Sequence, residues 1–187
     1  MDFYLRNRLL YLLFTFPARI RCRLHGVKLG NKVSFAGMPF VSKAKGSQIS
    51  IGDECRFMSL RTGNLLGINH RCIIATGKPS AEIVIGRNCG FSGVSIWCFK
   101  KIVLGNNVRV GANVKILDGD AHQDDSRAGE DKEVIIEDNV WIGTSCLILK
   151  GVTIGENSVI GAGSVVVKSI PSNVIAAGNP CRVIRPL

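Results

Sequence analysis

From Ile136 to Val166 an aliphatic residue returns every six positions: Ile136, Ile142, Ile148, Ile154, Ile160 and Val166. Two places before most of them stands a small or compact residue, namely Val140, Cys146, Val152, Ser158 and Ser164. Glycine follows at Gly143, Gly155 and Gly161. A helix would show a period near 3.6 and a flat strand a period of 2, so a period of six marks an internal repeat. Residues two apart in an extended segment share a face. Each hexapeptide therefore reads as one side of a coil with two inward positions, and its glycine admits a tight corner without Cβ strain. Three sides make a triangular coil of about 18 residues, and such coils must stack to bury a continuous apolar column. Neighbouring coils then pair as strands at roughly 4.8 Å.

The same pattern extends toward the N-terminus. It begins at Leu29-Gly30, runs through Phe35 and Val41, and loses register over 42–49. It returns at Ile51-Gly52 and Phe57, is ragged through Leu66-Gly67 and Cys72, and is clear again from Ile85-Gly86 through Phe91. Trp97 falls in an inward slot but is large for it; either it caps a widened corner or Ile96 takes the slot after a slip. Leu104-Gly105, Val110-Gly111 and Ile116 follow. Nine of the 21 glycines come after an aliphatic at these corners (30, 52, 67, 86, 105, 111, 143, 155, 161). Three units result: an apolar, basic helical arm over 1–28, the repeat over 29–167, and a tail over 168–187. Within the repeat, LDGDAHQDDSRAGEDKEV and Ile135 (117–135) must leave the prism as a loop, because the next triplet opens 20 residues after Ile116 instead of six.

The stretch Trp141–Arg185, WIGTSCLILKGVTIGENSVIGAGSVVVKSIPSNVIAAGNPCRVIR, resembles the hexapeptide-repeat acyltransferases, most closely the maltose and galactoside O-acetyltransferase branch. That resemblance implies an all-β fold, a left-handed parallel β-helix of hexapeptide repeats with a short N-terminal helix and an extruded loop. The usual crossover rule alone would have favoured the opposite hand. It also implies a homotrimer with sites between subunits and acetyl-CoA as the acyl donor.

The arm, 1–24, combines Phe3, Leu5, Leu9, Leu10, Leu12, Leu13, Phe14 and Phe16 with arginines at both ends, and Pro17 interrupts it. Its apolar run is too short to span a bilayer, which takes about 20 residues. It suits packing against the β-helix or a neighbouring subunit, which is preferred, or lying as a basic helix on a membrane. Half of the net charge of +10 falls in residues 1–28, where six basic residues oppose Asp2. Such a surface suits phosphates or an anionic membrane; nothing resembles a nucleic-acid module. Seven cysteines, an odd number without C-x-x-C spacing, together with the lack of a cleavable signal pattern, suggest reduced thiols in the cytoplasm, at most peripheral to the inner membrane face.

Loops on rigid scaffolds are where chemistry concentrates. The excursion holds seven of the 14 acids and His122. A solvated loop histidine and a general base are equally consistent with the residue types. The family resemblance, which places a catalytic histidine in such a loop, favours the base, with Asp120, or failing it Asp118, to orient the ring. DGDAHQDD lacks glycine at the sixth position of a calcium loop (Gln123) and glutamate at the twelfth (Gly129). His25, His70 and His122 are too far apart along the chain for a three-histidine zinc site, so no metal is expected.

Trp141 sits between inward Val140 and Ile142 and so points outward. By resemblance it lines the coenzyme A channel. Gly143, Thr144 and Ala162 offer backbone groups to the pantetheine arm, and a backbone N–H near Gly143 or Thr144 could serve an oxyanion. Lys168, Arg182 and Arg185 meet the nucleotide end. Val167 departs from the threonine of the galactoside branch; a backbone contact there survives, a hydroxyl contact does not.

The function expected is acetyl-CoA-dependent O-acetylation of a sugar or surface-glycan intermediate. Its alternatives are amino-sugar N-acetylation, acetylation of serine or an antibiotic, and a non-catalytic β-helix that binds a nucleotide or a partner. His122, Trp141 and the basic tail together distinguish the enzyme from the scaffold.

Overall fold

The structure, a computed structural model, describes residues 2–122 and 124–187; Met1 and Gln123, the latter read above as breaking a calcium-loop pattern, lie outside the described residues. Helix Phe3–Leu24 precedes a three-sided prism of parallel strands. The first sheet has six strands, from Lys28–Leu29 to Thr153–Ile154. The second has eight, from Ser34–Ala36 through Trp141–Ile142 to an antiparallel closing pair, Val174–Gly178 and Cys181–Pro186. The third has six, from Phe40–Ser42 to Val165–Val166.

The register shows why a six-residue period folds this way. On the first face Leu29, Ile51, Ile85, Leu104, Ile136 and Ile154 pair in one inward column. Phe35, Phe57, Phe91, Val110, Ile142, Ile160 and Ala176 do so on the second, and Val41, Ile74, Ile96, Ile116, Ile148 and Val166 on the third. The i−2 residues Val140, Cys146, Val152, Ser158 and Ser164 are buried as well. Phe35, Phe57 and Phe91 stack with centroids 5.1 and 4.7 Å apart. Ile96 takes the inward slot and Trp97 turns outward, paired with Leu117 on the next strand.

Of the nine corner glycines Gly67 is left-handed (φ 82°), as a tight corner needs, but the others act differently from the expectation. Gly86 and Gly143 are not left-handed; a Cβ on Gly143 would lie 2.5 Å from the Ala162 nitrogen of the next coil. Their role is close approach between coils. Left-handed backbone falls instead on Asn88, Asn107, Asn139, Asn157 and Asn173, whose side-chain amides hydrogen bond in a continuous ladder at 2.9–3.0 Å. Asparagine tolerates that conformation better than most residues.

The helix runs unbroken through Pro17, contrary to the expected interruption. Pro17 is exposed, so the hydrogen bond it cannot donate lies on the solvent side. Ala18 and Cys22 join the core, while Thr15 exchanges hydrogen bonds with Phe35 and Arg19 donates to the Val33 and Gly30 carbonyls. The helix thus covers the free edge of Ser34–Ala36 and caps the stack, where an open edge would invite pairing with another chain. The preferred packing role holds for this face. The opposite face leaves Leu5, Leu9, Leu12, Leu13, Phe16, Ile20 and Leu24 exposed at helical spacing. Among the described residues, no helix is long and apolar enough to cross a membrane.

Candidate active site

The excursion leaves the prism after Leu117 and rejoins it at Val134. Asp118, fully buried, holds its base. The carboxylate accepts from the backbone N–H of Phe99 (2.6 Å), Lys100 (2.8 Å) and Lys101 (2.6 Å) and from the Cys98 thiol (3.2 Å). Burial, then the charge of Asp118, pushes the Cys98 thiol far above its ordinary range. The Asp118 carbonyl also accepts from Lys132 N at 2.8 Å, which ties the two ends of the loop together.

Most of the remaining acids whose contacts are defined are held by cations or amides. Asp120 accepts from Lys150 Nζ at 2.6 Å and from Gly129 N at 2.9 Å; the lysine bond first, then the amide, holds its carboxyl below the usual range. Arg127 pairs with Asp125 at 2.6 Å and lowers it to about 2. Lys78 pairs with Asp131. The bridges from Lys150 and Lys78 stitch the loop to other coils, the Arg127–Asp125 pair is internal to it, and His122 is left exposed beside a cavity of about 440 Å³, which Leu117, Asp120, Asp125, Arg127 and Leu149 help to line.

Trp141 is 59% exposed on the second sheet. It shares one outward ladder with Val159, Ile175 and Arg185. Arg185 is three rungs away, roughly 14 Å at the strand spacing. The Gly143 N–H is committed to the Ile160 carbonyl at 2.8 Å. Among the described residues, the Thr144 and Ala162 N–H groups donate to no carbonyl, so of Gly143 and Thr144 it is Thr144 whose N–H is uncommitted. Lys168, Arg182 and Arg185 are all exposed.

The structure therefore places the candidate residues in two groups on different faces. Asp120 and His122 sit beside the third sheet, whereas Trp141, Thr144, Ala162, Arg182 and Arg185 belong to the second sheet and its corner; Lys168 follows Val165–Val166, the last strand of the third sheet, and so stands apart from the two arginines. The cavities beside His122 and Trp141 share no lining residue. Sequence reasoning missed a third component. An apolar hollow of about 530 Å³ on the third sheet, lined by Phe40, Ile73 and Trp97 among others, shares Leu117 and Ala121 with the His122 cavity. The oversized Trp97 in a nominal inward slot was its one sequence signal.

Residues 133–168 match the family model described as bacterial transferase hexapeptide (six repeats). The galactoside O-acetyltransferase of Escherichia coli K12 is 48% identical over 90 residues, 46% of this chain and 44% of that protein. The chain spans about half the length of the curated relatives it matches. A solved galactoside acetyltransferase in complex with coenzyme A aligns with a TM-score of 0.55 and 28% identity, covering 97% of this chain and 79% of that one. AntD, an N-acyltransferase from Bacillus cereus solved with dTDP and 3-hydroxybutyryl-CoA, aligns with a TM-score of 0.69 at 17% identity over 90% and 87% of the two chains, a likeness of fold. The architecture is the left-handed parallel β-helix.

Proposed function

We propose that this chain, a hexapeptide-repeat acyltransferase by its repeat, fold and relatives, is an acetyl-CoA-dependent O-acetyltransferase acting on a sugar or surface-glycan hydroxyl. The observation that carries the reading is the outward ladder on which exposed Trp141 leads to Arg185, with the uncommitted Thr144 and Ala162 amides nearby in sequence. Backbone donors and fixed cations of this kind suit an amide-bearing arm that ends in phosphates. In the reaction His122 takes the acceptor hydroxyl proton as that oxygen bonds to the acetyl carbonyl carbon. The carbon–sulfur bond then breaks, and the same imidazole returns the proton to the departing thiolate. The Thr144 N–H stabilises the oxyanion formed between these events. Asp120, kept ionised by Lys150, is the group assigned to orient the ring.

Because the two groups of candidate residues lie on different faces of one chain, the complete site forms between subunits of a homotrimer. Turnover with acetyl-CoA against sugars, amino sugars, serine and chloramphenicol-like alcohols tests the function. Thiol release with a sugar alcohol is the expected result. Turnover confined to amines would replace O- by N-acetylation, and inactivity toward the whole panel would count against the enzyme.

The proposed location is the cytoplasmic face of a membrane, reached through residues 1–24. The exposed apolar stripe of the helix is accompanied by Arg6, Arg8, Arg19, Arg21 and Arg23, with no acid between Phe3 and Leu24. That is the composition of an interfacial helix on anionic lipid. Deleting the arm would uncover the core at Ala18 and Cys22, so the informative variant keeps the cap and changes the outer face. Leu12→Gln with Phe16→Gln should reduce co-sedimentation with anionic vesicles severalfold. Salt near 1 M, where the screening length is about 3 Å, should release much of the wild type. If the wild type stays in the supernatant at low salt while the vesicles sediment, the arm serves only as a cap.

A further inference from the structure

A second cationic surface lies on the outward ladder of Trp141, on the side away from Arg185. From the capped end the ladder runs Ser34, Arg56, Gly90, Arg109, Trp141 in register. Arg56 and Arg109 are two rungs apart, roughly 10 Å at the strand spacing. Gly90 contributes no side chain between them, and a notch of about 210 Å³ opens there. Toward the helix it joins a hollow of about 920 Å³ that adds Arg8, Arg19 and Lys32; toward Trp141 it joins one of about 290 Å³. Arg56 lines all three, which makes them one groove, and no aspartate or glutamate lines any of them.

The charges of this groove are largely uncompensated. Among the described residues, Lys32 is the one cation of the groove with a carboxylate partner, Glu54 at 3.2 Å, and that pair is exposed. Arg19 donates to the Val33 and Gly30 carbonyls and Arg109 to the Asn88 carbonyl, contacts that orient a guanidinium without cancelling its charge. Among the described residues, the side chains of Arg8 and Arg56 make no hydrogen bond or ion pair. Four guanidiniums around a groove free of carboxylates repel one another, and their forked donors match phosphate oxygens. The coenzyme does not account for them. Its phosphates are assigned by the resemblance to Lys168, Arg182 and Arg185, and of these Arg185 stands beyond Trp141 at the opposite end of the ladder.

We propose that the groove formed by Arg8, Arg19, Arg56 and Arg109 binds the phosphate or diphosphate of a phosphorylated acceptor. This inference rests on the acetyl-transfer function stated above and names the class of its acceptor. Donor and acceptor phosphates then occupy opposite ends of one ladder, with the reacting groups meeting near Trp141. A diphosphate of this kind could be carried by a nucleotide or by a membrane lipid.

The test is calorimetric titration of the intact protein, saturated with coenzyme A, with inorganic pyrophosphate. Saturable binding is expected. Arg56→Ala with Arg109→Ala should weaken it at least about tenfold, because two charge-assisted contacts are lost. Coenzyme A affinity should change by less than about twofold, as for separate sites. Gly90→Asp provides a second route. Its Cβ would meet only Arg109 Cδ, at 3.5 Å, so a carboxylate enters between the two guanidiniums while both remain. It should abolish pyrophosphate binding with the thermal midpoint preserved.

Absence of pyrophosphate binding overturns the proposal. So does displacement of pyrophosphate by coenzyme A, or an equal loss of both ligands in the double variant. His122-dependent acetylation of an unphosphorylated sugar without pyrophosphate binding would remove this inference alone. Pyrophosphate binding with no acetyl transfer to any acceptor would remove the function beneath it. Uridine diphosphate in solution and a polyprenyl diphosphate in phosphatidylcholine vesicles, compared directly, distinguish the two sources, and preference for either supports the site.

Discussion

Replacing His122 by alanine should lower kcat at least ~10²-fold while leaving acetyl-CoA affinity nearly unchanged. The direction follows from where the residue stands. His122 is exposed at a cavity mouth that Asp120 and Asp125 help to line, and the loop acids Asp120, Asp125 and Asp131 have cationic partners in Lys150, Arg127 and Lys78. Removing the imidazole leaves these ion pairs in place, so the loop should keep its shape. A loss confined to kcat is the signature of a group that acts on the reacting atoms. Equilibrium binding of acetyl-CoA, measured beside single-turnover rates, separates the two effects. Turnover close to wild type in His122→Ala would sink the mechanism.

The largest effect on stability is expected at Asp118. Asp118→Ala strands three backbone N–H groups and a thiol that now share one buried carboxylate. Hydrogen bonds to a charged group contribute about 1.5–3 kcal/mol each and do not add simply, so a loss of about 3 kcal/mol or more is expected. For a chain of this size that lowers the thermal midpoint by roughly 6–12 °C. Asp118→Asn keeps an acceptor oxygen and should fall between the two. Urea unfolding and the thermal midpoint provide the measurement. A midpoint within 2 °C of wild type in Asp118→Ala, below the shift expected for about 1 kcal/mol, would show that other contacts hold the Cys98–Lys101 corner.

Asp118 also marks a boundary of what the sequence could tell. Beside Asp120 it read as a second candidate to orient His122, because type and proximity were all that could be weighed. Its burial is set by amides some 18 residues earlier, on the coil beneath. The inward columns, by contrast, were legible throughout the clear repeats. A six-residue period fixes which side chains point in whatever the rest of the coil does, so Cys146, Ser158 and Ser164 were placed correctly despite their chemistry. The arm was legible as a helix but not as a continuous one, since Pro17 breaks the local pattern while its exposed position makes the break tolerable. Arg56 and Arg109 escaped notice because an insertion between coils separates them in sequence. Only strand register brings them within two rungs. The outward Trp141 was legible since its neighbours Val140 and Ile142 had to be inside.

The outward ladder of the second sheet has a graduated pitch. Parallel strands hold successive rungs about 4.8 Å apart, and the packed columns behind them prevent any one rung from sliding. Positions along the groove are therefore discrete. A ligand group can be met at one rung or the next, with little adjustment between. Gly90 is an empty graduation and Trp141 a filled one. Changing the length of ligand that fits would not require moving the backbone; exchanging the side chain at a single rung would lengthen or shorten the measured span by a whole step. Selectivity on such a surface should change in jumps, with homologues of the same fold differing by which graduations carry charge, bulk or nothing.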